Sequence, residues 1–451
     1  VKAISLQQIV ECGVDSETAI ALQPPINHAL ATLPAQECWQ FLSHHLLQPS
    51  QPFALHQHLY HLTFADWETN QQPPSAWIPS DEQIQSTHIA ALMRELHLCS
   101  YPELHAWSVQ HRAEFWQRMI QRLRIQFQQP YRDVLDLTAG VESPEWLVGA
   151  RLNIVESCFQ ASAETPAIVT QAEGELLVYW TYAELLALTN RVANSLIAAG
   201  VQPGAAIAIA MPMTAEAVAI YLGIVKAGCV VVSIADSFAA SEIAMRLRIA
   251  RAIAIFTQDV TVRSGKVLPL YAKVVAAGAP TAIVVPRLTL AVNLRLGDLA
   301  WSDFLSPDEH FTAVPTTASA PTNLLFSSGT TGEPKAIPWT QTTPIKAAAD
   351  GHLHHDIHPG DVVAWHTNLG WMMGPWLIYA SLLNCATIAL YDGNPCDRGF
   401  GKFIQDARVT MLGVVPSLVN IWRRTGCMNG LDWSSLKAFS STGCVAKTSG
   451  W

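Results

Sequence analysis

From about residue 160 the chain alternates two textures. Short apolar runs, 205-AAIAIAM-211, 229-CVVVSIA-235, 252-AIAIF-256, 281-TAIVV-285 and 322-TNLLF-326, read as buried strands. Between them, 182-YAELLALTNRVANSLIAAG-200 carries apolar positions at helical spacing, with Gly200 just past its end. A second helix is expected from Thr214 to Ala227, stopped by Gly228, and a third around 241-SEIAMRLRIA-250. Further strands follow near 362-VVAW-365, 386-ATIAL-390, 409-VTMLGVV-415 and 436-LKAFSS-441. Continuous apolar strands separated by helices predict an α/β fold of doubly wound, mostly parallel sheets.

The earlier part of the chain has a different pattern. Between 101 and 127, YPELHAWSVQHRAEFWQRMIQRLRIQF places Trp107, Phe115, Trp116, Met119 and Leu123 at helical spacing, so one amphipathic helix is expected. Residues 1–95 are rich in Gln, His and Pro, with short pieces such as 38-CWQFLSHHLL-47 that suit helices. The expected organisation is therefore a helical or irregular segment over 1–95, a linking region over 96–158, a sheet-rich domain over 159–443 and a divergent tail over 444–451.

Composition narrows the functional classes. A chain of 451 residues is long enough for more than one folding unit and for an enzyme. Half of it is hydrophobic, yet the longest apolar stretch, 217-AVAIYLGIVKAGCVVVSIA-235, is divided by Lys226 and Gly228, so no membrane span is expected. A net charge of -9 without a basic block opposes nucleic acid as a partner. Nine cysteines without a CxxC pair suit reduced thiols and a cytoplasmic location.

The stretch 323-NLLFSSGTTGEPKAIPWT-340 bears the clearest chemistry. A loop leaving the carboxyl end of a parallel strand lies where open α/β sheets bind ligands. Gly329 and Gly332 let its backbone fold so that amides point inward, Ser327, Ser328, Thr330 and Thr331 add hydroxyl donors, and Lys335 adds a positive charge. Such a nest suits the phosphates of a nucleotide. The glycine and lysine spacing differs from that of a Walker loop, which sets aside the kinases and GTPases of that type. The bland alternative is a solvated Ser/Thr/Gly linker. The cluster 352-HLHHDIH-358 offers His354 and His358 at i,i+4, but with no obvious third ligand it reads as a solvated helix face, and no metal site is assigned.

SSGTTGEPK resembles the phosphate-loop signature of the adenylate-forming superfamily, which includes acyl-CoA synthetases, luciferases and peptide-synthetase adenylation domains. The run 131-YRDVLDLTAGVESPEWLVGARLNIVESCF-159 is similar to the N-terminal region of acetyl-CoA-synthetase-like enzymes, and 367-TNLGWMMGPWLIYASLLNCATIALYDG-393 to their acyl-pocket segment. The wording SSGTTGEPKAIPWT, with Ala336 where most relatives carry Gly, is most similar to acyl-activating enzymes of the plant peroxisomal type.

The resemblance implies two αβα subdomains and an ATP-dependent acyl-CoA synthetase that uses MgATP, a small carboxylic acid and coenzyme A. It implies that residues 327–335 hold the β- and γ-phosphates, that Trp371, Met372, Met373 and Thr442 line the acyl pocket, and that Gly443 lies on the adenine side. The family's further adenine, ribose and magnesium motifs, and its mobile C-terminal domain with a catalytic lysine, have no match here. Cys444 stands where an acidic residue would fit, and Lys447 is not the missing lysine. The expectation is thus an incomplete and weakly active or inactive synthetase. The alternative is a non-catalytic phosphate-binding remnant, or one part of a split enzyme with a separately encoded C-terminal part.

Overall fold

Two compact units make up the computed structural model, one of residues 1–97 with 432–434 and one of residues 98–431 with 435–451. The structure describes residues 2–48, 50–68, 74–287, 292–327 and 332–442. Ser328, Gly329, Thr330, Thr331, Gly443 and the tail 444–451 lie outside the described residues.

The first unit is helical. Ser5 and Gln8 form a reciprocal capping box that starts Leu6–Glu11, and Asp15 caps Ser16–Thr32. Ile9, Leu22, Ile26, Leu42, Leu55 and Leu59 form a core around Trp39, whose ring meets Tyr60 edge-on at 5.2 Å. Pro24 and Pro25 lie inside Ser16–Thr32, which is why that text looks irregular while the backbone stays helical. Each proline removes a backbone donor.

The second unit contains two large sheets. The first has seven strands in the order Leu299–Ala300, Thr281–Val285, Ala254–Gln258, Ala206–Ala210, Val230–Ser233, Pro321–Phe326, Ala336–Thr340. Only its last pair is antiparallel. The second has six strands in the order Ala438–Ser441, Met411–Val414, Val362–Trp365, Thr387–Asp392, Pro166–Ala172, Val178–Thr181, again parallel except for the last pair. The α/β reading holds, with two strands at 166–181 that the apolar pattern did not reveal. In each sheet one strand has its sequence successors on opposite sides: Ala206–Ala210 in the first and Val362–Trp365 in the second. Open sheets bind ligands at such switch points.

Two almost wholly buried helices fill the space between the sheets. Ala215–Lys226 packs on strands of the first sheet and Met373–Leu382 on strands of the second. They meet through Tyr221 and Tyr379, whose rings are 5.9 Å apart and edge-on. A helix apolar on every side is stable only in such a position. The expected single helix over 101–127 is instead two, Tyr101–Gln110 and Arg112–Arg122, broken at His111 where φ is -111° and ψ is 50°. No helix among the described residues is long and apolar enough to cross a membrane.

Lys226, which divided the long apolar run, is buried at the end of its helix. Its Nζ donates to Asn190 Oδ1 at 2.7 Å and lies 3.3 Å from Glu156 Oε1. The helix end itself is capped from a distance. Asn153 Nδ2 donates to the carbonyls of Val225 at 2.9 Å, Lys226 at 3.2 Å and Val314 at 3.0 Å, while its Oδ1 accepts from Val155 N–H. Water cannot replace these donors in a buried site.

Asn153→Ala is accordingly expected to destabilise the second unit by about 2–4 kcal/mol, and Asn153→Asp by at least as much, because the donors vanish in both. Urea denaturation followed by tryptophan fluorescence measures this. A loss within about 0.5 kcal/mol, the range of ordinary surface changes, would contradict it.

Candidate active site

The sequence 323–340 forms a hairpin at the carboxyl edge of the first sheet. Asn323 and Leu324 run parallel to Val231 and Val232, which buries the strand, and Phe326 pairs with Ala336 as the chain returns. At the neck, Ser327 N–H donates to the Lys335 carbonyl at 3.0 Å and Lys335 N–H donates to Ser327 Oγ at 3.2 Å. This closes the base of a loop whose remaining described members are Gly332, Glu333 and Pro334. Gly332 has φ of +138°, a conformation that side chains disfavour. Glu333 is paired with Arg248 on the helix Ala240–Ala250.

The second element leaves the switch strand of the other sheet. After Val362–Trp365 the chain makes a turn through Asn368 and Gly370 that rests on the first sheet. Asn368 Nδ2 donates to Asp236 Oδ1 at 2.9 Å and to the Met211 carbonyl at 3.3 Å, while Asn368 Oδ1 accepts from Gly370 N–H at 2.9 Å. Asp236 is completed by Arg263 at 2.7 Å, and its carbonyl by Lys273 Nζ at 2.7 Å. A Cβ on Gly370 would fall 2.2 Å from the Ala235 nitrogen, so only glycine fits this approach. Met372 and Met373 then open the helix Met373–Leu382.

Met372, Met373 and Thr442 share a cavity of about 550 Å³ with Trp339, Trp365, Trp376, Ser440 and Ser441. Three of the four residues expected at the acyl pocket are therefore together. Trp371 is not with them: it is 52% exposed and meets Phe238 edge-on at 5.9 Å. The reason is geometric. Entering a helix, successive side chains diverge by about 100°, so three consecutive residues do not face one cavity.

The cavity's other end was not foreseen. His355 follows the helix Thr343–His354 and turns back to contact Trp376, ring to ring at 5.0 Å. Its Nδ1 lies 3.2 Å from the Asp350 carbonyl, which can only accept, so Nδ1 carries the proton and Nε2 accepts from Ser440 Oγ at 3.0 Å. Burial, partly offset by the Asp350 carbonyl, lowers the His355 pKa and keeps the ring neutral. Lys346 and Asp350, an ion pair, complete this end with His354. His352 is buried and bonded to Asn384 Oδ1 at 3.0 Å. Of the histidine cluster, His354 is exposed as expected, His352 is buried, and His355 and His358, both half-buried, lie past the end of the helix.

Two further cavities continue from the first around the start of Thr343–His354. One of about 320 Å³, lined by Trp116, Ile120, Trp146 and Leu147, shares Thr343 and Lys346 with it. Another of about 580 Å³, bordered by Gln129, Arg151, Thr317 and Ser319, shares Trp146, Leu147 and Thr342 with the second. The linking region before the sheets thus contributes lining to cavities that neighbour the first.

On the opposite side of Trp365, His366 borders a space of about 20 Å³ with Arg263, Tyr391 and Asp392. Burial, reinforced by the Arg263 charge, pushes His366 down to about 4, while burial pushes Tyr391 up to about 12. Burial also raises Asp392, against the opposing charges of Arg287 and Arg263. Because His366 binds a proton less readily when folded, its contribution to stability is complete above the ordinary histidine value and is lost as pH falls from about 6.5 towards about 4. Asp392 works in the opposite direction, so the two are separated by comparing variants. Between pH 7 and 4.5, His366→Asn is expected to remove up to about 3 kcal/mol of the acid-induced loss of stability. Parallel stability–pH profiles for the two proteins would contradict this.

Family comparison gives three consecutive matches along the chain. The family described as "AMP-binding enzyme" matches residues 156–448, "Acetyl-coenzyme A synthetase N-terminus" matches 101–158, and "Probable acyl-activating enzyme 17/18, SAM domain" matches 1–65. Hexanoyl-CoA synthase of Cannabis sativa is 43% identical over 98% of this chain and 65% of its own length. A protein named acyl-activating enzyme 18, peroxisomal, of Arabidopsis thaliana shows the same identity and coverage. The chain therefore spans slightly less than two thirds of these relatives. Among solved structures, acetoacetyl-CoA synthetase from Streptomyces lividans superposes with a TM-score of 0.77 at 28% identity, covering 84% of this chain and 61% of that one.

Proposed function

Because the chain belongs to the AMP-binding enzyme family, we propose that it catalyses the ATP-dependent formation of an acyl-CoA from a carboxylic acid with an apolar tail. The observation that carries this reading is the adjacency of two features at the carboxyl ends of the sheets: the phosphate-loop hairpin and the methionine- and tryptophan-lined cavity, joined through Trp339 on the return strand.

In the first half-reaction a carboxylate oxygen attacks the α-phosphorus of MgATP. The bond from that phosphorus to the bridging oxygen breaks, and pyrophosphate leaves. The two reactants repel, so positive charge and N–H or O–H donors must offset the phosphates first. Lys335, the hydroxyls of Ser327, Ser328, Thr330 and Thr331, and the backbone at Gly329 and Gly332 are the groups assigned to the β- and γ-phosphates. Magnesium enters as part of the nucleotide substrate. In the second half-reaction the sulfur of coenzyme A attacks the acyl carbon and AMP departs with the electron pair of the broken bond. The cavities near Thr342, Trp146 and Arg151 are assigned to the approach of the coenzyme A thiol.

Thr442 and Gly443 are assigned to the acyl and adenine sides of the last strand. Met372 and Met373 provide an adaptable wall that suits aliphatic acids of intermediate length. The eight described cysteines are all unpaired, which suits a reducing compartment such as the cytoplasm. The peroxisomal designation belongs to the Arabidopsis relatives.

The reading is tested with the full-length protein by carboxylate-dependent ATP–pyrophosphate exchange, using acids from acetate to palmitate. Exchange is expected with at least one aliphatic acid, and Lys335→Ala is expected to lower it by about a hundredfold or more. Met373→Trp should suppress exchange with the longer acids while sparing acetate. If no acid raises exchange above the acid-free blank, the proposal fails.

A further inference from the structure

The helix Ala240–Ala250 flanks the phosphate-loop hairpin and carries two arginines with different surroundings. Arg248 is 62% exposed at its side chain and is paired with Glu333 of the loop. Arg246 is only 6% exposed. Its guanidinium carbon lies 4.0 Å from the centre of the Phe238 ring and 5.5 Å from that of Phe326. One terminal nitrogen donates to the Glu242 carbonyl at 2.9 Å. The buried Nε has no hydrogen-bond partner. The carboxylate of Glu242 is engaged elsewhere, accepting from Ala239 N–H at 3.1 Å.

A structural role alone explains this arrangement poorly. Two aromatic faces offset part of the desolvation of a guanidinium, but an apolar side chain of similar length avoids that cost altogether. A buried cation with an unused N–H is instead suited to a place where negative charge arrives. Phe326 is the last residue of the strand before the loop, and Ser327, next to it, forms the loop's neck with Lys335. The other edge of Phe238 supports Trp371. Arg246 therefore stands behind the entrance to the phosphate loop, held by aromatic stacking, while the Glu242 carboxylate on the same helix turn attracts its charge but is hydrogen-bonded to Ala239 N–H instead.

Building on the nucleotide reading above, we propose that Arg246 is a positioning residue for the triphosphate: stacked against Phe238 and Phe326, it fixes the start of the phosphate loop and supplies a buried positive charge behind it. A charge in this role favours ligands in proportion to their phosphate content. A packing role would affect all nucleotides alike.

Titration calorimetry on the full-length protein with MgATP, AMP and adenosine separates the two, using Arg246→Met, which keeps the length without the charge, and Arg246→Lys, which restores a charge. The expected result is that Arg246→Met weakens MgATP about tenfold or more, AMP by a smaller factor and adenosine little, while its melting temperature is unchanged or higher. Arg246→Lys is expected to recover most of the MgATP affinity. Equal affinities in all three proteins would overturn the proposal, as would equal weakening for MgATP and adenosine. If the unsubstituted protein binds no MgATP, the nucleotide reading falls and this inference with it; binding by that protein with an unaffected Arg246→Met variant removes this inference alone.

Discussion

The site depends on the contact between the two switch strands. Ala206–Ala210 ends at Met211, whose carbonyl accepts from Asn368 just beyond Val362–Trp365. The same asparagine bonds Asp236, and Gly370 lies against the Ala235 backbone. Each sheet separately presents a crevice where its strand order reverses. The seam holds the two strand ends together, with the turn through Asn368 and Gly370 lying on Met211, Ala235 and Asp236. Both carboxylate oxygens of Asp236 are satisfied in this buried place, one by Arg263 at 2.7 Å and the other by Asn368 at 2.9 Å. Removing one member of such a network would leave the others buried without partners. The approach of Gly370 is closer still, since backbone meets backbone and no side chain intervenes.

The contact between sheets needs a rigid layer behind it. Ala215–Lys226 and Met373–Leu382 provide that layer and meet at the Tyr221–Tyr379 pair. Helices so deeply buried have no water at their ends. Asn153 and Glu156, from the segment preceding the sheets, therefore serve the end of Ala215–Lys226, and Ile154 N–H donates to Gln341 Oε1 at 2.8 Å just after the hairpin's return strand. This accounts for a segment with little regular structure being tied to both the helical layer and the hairpin. Its energetic role is polar satisfaction rather than burial alone.

Much of this architecture was legible because parallel strands covered on both faces must be apolar throughout. The central strands from Ala206 to Phe326 stood out for that reason. Pro166–Ala172 and Val178–Thr181 did not: the first ends in Thr, Gln and Ala, and the second lies at a sheet edge where Val178 and Tyr179 are exposed. The strand-loop-strand segment 323–340 stood out by its glycines, hydroxyls and lysine, and its two strands pair as a hairpin. Arg246 was not, because its meaning depends on Phe326, eighty positions later in the chain, coming within 5.5 Å. Trp339, Trp365 and Trp376 meet only after strand and helix are assembled. The inward turn of His355 follows the end of its helix, and spacing alone does not specify what happens beyond a helix terminus.

The proton placement at His355 also constrains what its cavity can accept. The Asp350 carbonyl requires the hydrogen on Nδ1, so Nε2 takes the Ser440 proton and Ser440 offers an incoming group only lone pairs. A carbonyl or carboxylate at this point would face an acceptor with no hydrogen between them. An aliphatic terminus meets no such opposition and gains contact with Trp376 and the methionines. Protonating His355 would reverse the arrangement, because Nε2 would become a donor and Ser440 would be free to turn its own proton towards the cavity. Burial opposes that change by disfavouring the charged ring. The same burial that makes the cavity apolar thus keeps its one Ser–His pair in the state that leaves an apolar tail the better fit.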